Sequence, residues 1–97
     1  MAKKKDIQLL NLKIKNCYDC TLSETRRNSI CGEGNLDAQI MLIAQAPGRQ
    51  EDHEGKMFIG PSGRVLNDLL KRANIKRQDV YMTNLIKCIT IPAMVRL

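Results

Sequence analysis

The sequence has no tryptophan, one phenylalanine, two tyrosines and one histidine among its 97 residues. Each scarcity narrows the chemistry. Imidazole acid–base work has one carrier, His53, and its place between Asp52 and Glu54 in a loop-like stretch marks it as a surface group. Phe58 is the single phenylalanine, outside every helix or strand period, so it is either a structural plug or a stacking platform for a base. No apolar run nears the ~18 residues of a membrane span. Lys3-Lys4-Lys5 is not followed by a hydrophobic stretch, so no secretory signal is read and a cytoplasmic location is expected. Internal repeats and low-complexity segments are absent. The Gly48 and Gly60 loops match neither the phosphate-binding P-loop nor the dinucleotide fingerprint.

What is present is basic and rich in thiols. Sixteen Lys and Arg against ten acids give a net charge of +6, which favours a polyanionic partner because neutralised phosphates release counterions. Four cysteines in a chain expected to be cytosolic point to metal or redox chemistry before disulfides. Cys17-x-x-Cys20 places two thiols on one turn, a spacing that suits zinc or an iron–sulfur cluster. A redox pair would be expected at a strand-to-helix junction, and this one follows a helix pattern. Cys31 and Cys88 are the remaining thiols, either of them a further ligand, with Cys31 also readable as a small buried hydrophobe.

The length fits a single small domain or a piece of a larger one. Residues 1–5 read as a basic, disordered tail, and Asp6 as the cap of a helix carrying Ile7, Leu10 and Ile14. Thr21 to Asn35 reads as irregular. Gln39–Ala44 is an unbroken apolar run, expected to be a strand buried on both faces. It stops at Gln45-Ala46-Pro47-Gly48, and the stretch from Ala46 to Pro61 reads as a long loop, the kind that usually carries function. Ser62 is the expected cap of a helix whose apolar face is Val65, Leu66, Leu69, Leu70 and Ala73. A second strand follows at Val80-Tyr81-Met82. Strand, helix and strand predict a βαβ unit with parallel strands, its binding edge at their carboxyl ends. Glu51, Asp52 and Glu54 are candidate acid–base groups beside that edge, though such a cluster also reads as a solvated face. Asn84, just past the second strand, can cap a turn or offer its amide fork to a base edge.

Taken together, the segments resemble the iron–sulfur (family 4) uracil-DNA glycosylases. The resemblance is carried by Cys17-x-x-Cys20-x-Leu22, by Arg26-Arg27 leading to Gly32-Glu33-Gly34, and by Ala38-Gln39-Ile40-Met41-Leu42-Ile43. It continues through Gln45-Ala46-Pro47-Gly48-x-x-Glu51-Asp52-x-x-Gly55-x-x-Phe58-Ile59-Gly60, Gly63 and Thr83-Asn84-Leu85-Ile86-Lys87-Cys88. It implies an α/β fold, part of a three-layer α/β/α sandwich with a parallel sheet, truncated after its first βαβ unit. It implies a repair enzyme that flips uracil out of DNA and hydrolyses its N-glycosidic bond. Phe58 would stack on the base, Asn84 would read its polar edge, Gln45 and Ala46 would line the pocket, and Glu51 would hold the attacking water. Cys17, Cys20 and Cys88 would be three ligands of a structural [4Fe–4S] cluster, with the fourth absent unless Cys31 substitutes.

The departures are specific. Ala44-Gln45 stands where the family usually has Gly-Glu, and Ala46 where related families carry an Asp. The Ile89-Thr90-Ile91-Pro92 stretch replaces a Pro- and Arg-rich one. Family members continue about as long again, with the fourth cysteine and a His-containing loop, so the chain reads as an amino-terminal half. A missing second half, or self-association through exposed sheet edges, is the expected partner besides uracil-containing DNA. Two other readings compete: a non-enzymatic four-cysteine zinc or iron–sulfur module, and a basic nucleic-acid-binding fragment without chemistry or metal.

Overall fold

A computed structural model of the chain describes residues 2–90. Helix α1 spans Ala2–Lys15, strand β1 Glu33–Gly34, strand β2 Met41–Ala44, helix α2 Arg49–Glu54, helix α3 Pro61–Arg72 and strand β3 Tyr81–Asn84. Short 3₁₀ turns lie at Thr21–Glu24 and Arg77–Asp79. The strand order is β1-β3-β2. The expected parallel pair is present, with Met41 against Tyr81 and Ala44 against Asn84. Hydrogen bonds from Leu85 N–H to Ala44 and from Ile86 N–H to Gln45 carry the ladder past both strand ends. The sheet is mixed, because β1 joins the other edge of β3 antiparallel, Glu33 opposite Met82. Two residues in a Gly-rich polar stretch carry no strand period, which is why β1 was not legible.

Residues 3–5 are not a disordered tail: α1 begins at Ala2. Alanine and lysine are strong helix formers, and Lys3 Nζ lies 2.7 Å from Asp37 Oδ1. Lys13 and Lys15 in the last turn complement the helix dipole. Ser29 Oγ donates to the Ile14 carbonyl and tethers the helix end.

The core is Ile30, Met57, Val80 and Met82, with Leu42, Phe58, Leu66 and Ile75 packed against it. Only one face of β2 takes part. Met41 and Ile43 are 56% and 62% exposed, which corrects the expectation of a strand buried on both faces. The physical reason is cover. Leu42, with Phe58 and Leu66, packs against the buried core, whereas between α1 and the other face lies an open groove of about 520 Å³, lined in part by Ile7, Leu10, Met41 and Tyr81. Helix α3 likewise turns Leu70 inward and Leu66 part-way, and leaves Val65 and Leu69 exposed. Among the described residues, no helix is long and apolar enough to cross a membrane.

Candidate active site

The stretch between β2 and α3 is not one long loop. Residues 49–54 wind into α2, and Gly55 at φ 76° ends it, its N–H donating to the Glu51 carbonyl at 2.7 Å. A left-handed residue at this position is the usual way a helix stops, and glycine adopts it without a Cβ penalty. Helix α3 is capped by Gly60 with Pro61 at its first position, not by Ser62. Proline suits that place because its fixed φ is helical and the missing N–H has no partner to lose there.

Glu51 joins these pieces. It is 4% exposed, so the expectation of a solvated carboxylate cluster fails at this position. Its Oε1 accepts the Gly48 N–H at 3.0 Å, and its Oε2 accepts those of Ile59 and Gly60 at 2.8 and 2.6 Å. Burial pushes the carboxyl pKa up, but the N–H groups of Gly60, Ile59 and Gly48 outweigh it and hold the pKa below the usual value. Glu51 is therefore ionised and poorly suited to taking a proton. It clasps the start of α2 to the start of α3. Asp52, on the next position, accepts the N–H groups of Arg27 and Asn28 at 2.8 and 3.0 Å.

Phe58 follows in a left-handed conformation, φ 49°, uncommon for a residue with a side chain. Three contacts impose it. Arg77 donates to the carbonyls of Phe58 and Met57 at 3.0 and 2.8 Å. A Cβ at Gly63 would overlap the Phe58 carbonyl oxygen, so this carbonyl lies where only glycine leaves room. Glu33 accepts the Met57 N–H at 2.9 Å. Strain of this kind concentrates at functional sites.

At the carboxyl ends of β2 and β3, these residues enclose a hollow of about 20 Å³ lined by Ala46, Pro47, Gly48, Glu51, Met57, Phe58, Ser62 and Asn84. That is room for about one water. Asn84, 3% exposed, is the last residue of β3 and not a residue beyond it. Its Nδ2 donates to Met57 Sδ at 3.2 Å, a weak acceptor. Lys87, its pKa lowered by burial, donates to Thr83 Oγ1 at 2.7 Å and to the Asn84 carbonyl, fixing the strand end.

Of the site residues expected from sequence, Glu51, Ala46, Phe58 and Asn84 meet at this hollow. Gln45 does not line it; it is exposed, with its carbonyl accepting from Ile86. The side chain follows the pleat, which places neighbours Gln45 and Ala46 on opposite sides. His53 is exposed as expected, 2.5 Å from Arg27 Nη1 through its Nδ1. Glu33, Gly63 and Lys87, which stand in the quoted motifs with no role assigned, support the site, as does Arg77, which no motif names. The long-range contacts of Glu33, Gly63 and Arg77 reveal their parts, whereas Lys87 bonds within its own segment.

The cysteines are all free. Cys88 is buried and accepts from Arg26 Nη1 at 3.3 Å. Cys17 lies near the same guanidinium, and Cys20 is exposed. Cys31 donates instead to the Asn11 carbonyl at 3.5 Å, and burial raises its thiol pKa, so it is held by α1 as a protonated group. Among the described residues, no three His, Cys, Asp or Glu side chains are grouped closely enough to hold a metal ion.

Residues 31–96 match the family model of the uracil DNA glycosylase superfamily. The type-4 uracil-DNA glycosylase of Pyrobaculum aerophilum is 41% identical over 83 residues, 86% of this chain and 42% of that protein. The Thermotoga maritima protein of the same name is 39% identical over 82 residues, covering 84% of this chain and 43% of its own length. The Saccharolobus solfataricus one is 42% identical over 84 residues, 86% and 39% respectively. The chain thus spans about two-fifths of the length of these relatives. The matched residues include Ala46, Glu51, Phe58 and Asn84 around the hollow, and by this match the chain belongs to the uracil DNA glycosylase superfamily.

Proposed function

We propose that this chain carries the amino-terminal part of a uracil-DNA glycosylase. The observation that carries the reading is the buried Glu51 clasp beside Asn84 and Phe58, at the strand ends where open α/β sheets bind ligands. In the reaction, the bond between uracil N1 and the sugar C1′ breaks and water supplies the hydroxyl that C1′ gains. Uracil leaves as an anion and is protonated afterwards. Asn84 meets the base edge, with an amide fork suited to O4 and N3–H and mismatched to the amino group of cytosine. Phe58 stacks on the ring, and the Ala46–Gly48 backbone lines the pocket.

Glu51 has a different part from a general base. Its oxygens accept the N–H groups of Gly48, Ile59 and Gly60, and its own backbone N–H also bonds the carboxylate. The ionised carboxylate borders a hollow the size of a water, which supports a role in orienting the attacking water without deprotonating it. Its charge also stabilises positive charge building on the sugar. Gln45, outside the hollow, keeps no catalytic part in this reading.

Cys17, Cys20 and Cys88 are proposed as iron–sulfur ligands on the family resemblance and on the shared neighbourhood of Arg26 around Cys17 and Cys88. No step of the reaction is routed through a cluster. A nucleobase also needs more room than the hollow gives, and exposed Met41, Ile43, Val65 and Leu69 support burial against further chain or a second copy.

The test is abasic-site formation on single- and double-stranded DNA containing uracil. A version extended with the remainder of the Thermotoga maritima relative is expected to release uracil, and Asn84→Ala to abolish it. Absence of product from the extended chain overturns the assignment.

A further inference from the structure

A second cleft lies at the end of α2, where Glu54 and Gly55 border it. It measures about 450 Å³ and is lined by Lys15, Tyr18, Ser23, Arg26, Arg27, Asn28, Ser29, Glu54 and Gly55. Lys15, Arg26 and Arg27 outweigh the single carboxylate, Glu54, which is itself 3.8 Å from His53 Nε2. Tyr18 at its edge is 73% exposed, unusual for an aromatic ring in a chain with so few. The Arg26 guanidinium sits 5.1 Å from the Tyr18 ring centroid and also bonds Cys88, so Arg26 serves to fix the ring. Lys15 and Arg27 remain for an incoming anion. Arg27 spends one donor on His53 and carries five.

We propose that this cleft binds a single DNA strand away from the uracil hollow, with a base stacked on Tyr18 and backbone phosphates against Lys15 and Arg27. A charged groove with an exposed aromatic platform is the physical pattern of sequence-tolerant strand binding. Another cleft with several cations lacks this combination. It is lined by Asn67, Leu70, Lys71, Asn74, Ile75, Lys76 and Arg77, contains no aromatic ring, and has its Arg77 committed to Met57, Phe58 and Asn67. The choice of DNA over another polyanion rests on the glycosylase reading; the cleft itself does not.

Binding of a labelled oligothymidine to the 97-residue chain, followed by fluorescence anisotropy across a salt series, tests it. This probe contains no uracil, so failure of the glycosylase assay and failure of this one are separate results. Lys15→Gln with Arg27→Gln is expected to flatten the slope of log affinity against log salt by about 1.4, at about 0.7 per phosphate. Tyr18→Ser is expected to weaken binding roughly 5- to 150-fold, with Tyr18→Phe retaining it. Lys76→Gln, in the other cleft, serves as the surface control. A double variant with unchanged slope, or a Tyr18→Ser variant with unchanged affinity, overturns the proposal. So does displacement of the strand by an acidic peptide at equal concentration. Circular dichroism checks that each variant is folded, and Lys15→Gln alone carries the test where Arg27→Gln unfolds.

Discussion

The residues around Glu51 and those around Cys17 and Cys20 differ in how their geometry is held. The first region is over-determined: one carboxylate takes three backbone N–H groups, one guanidinium takes two carbonyls, and one glycine admits a carbonyl where a methyl would collide. The second is a turn with an exposed thiol, a half-buried one and an exposed tyrosine. The contrast teaches that polar groups of the chain itself suffice to shape the loop at the strand ends, whereas the thiol turn is held by local backbone bonds, from Cys17 N–H to Ile14 and from Ser23 N–H to Cys20, and by Arg26. The difference can be broken from the stronger side or sharpened from the weaker.

The largest effect is expected at Glu51. Glu51→Ala strands three backbone N–H groups in a buried place and should cost about 3 kcal/mol or more by urea unfolding. Because the folded-state pKa is lowered, the stabilisation is full above the ordinary carboxyl value of 4.5 and is lost as pH falls through the lower folded value. Glu51→Gln should therefore be less stable at neutral pH and show a flatter loss of stability in acid. An unchanged acid limb would mean that the clasp does not form in solution.

Gly63→Ala comes next. The added methyl must displace the Phe58 carbonyl, at about 1–3 kcal/mol by thermal unfolding. The smallest effect is expected at Cys20, where Ser in the metal-free chain should change stability by less than about 0.5 kcal/mol. A larger loss there would erase the contrast between the two regions.

Much of this site was legible in sequence because the chain orders it locally. An apolar run ending at Pro47-Gly48 places a loop at a strand end, and Phe58 and Asn84 stand outside any packing period. Glu51 was legible as a participant but not as a clasp, since its partners are backbone groups that no side-chain pattern encodes. Arg77 was invisible for the complementary reason: its acceptors include carbonyls from another segment. The strand at Met41–Ala44 misled because an apolar run shows what can be buried, and cover decides what is. The helix start misled because three lysines read as a solvated tail while being good helix formers.

Helix α2 has six residues, about 9 Å of rise. Glu51 on it faces the small hollow at the strand ends, and Glu54 at its end lines the basic cleft, with Asp52 tied to the Arg27 and Asn28 backbone between them. A rod this short has no joint at which movement could be absorbed. Any coupling between a ligand in the cleft and one in the hollow is reciprocal: what the first adds to or takes from the affinity of the second, the second returns in equal measure.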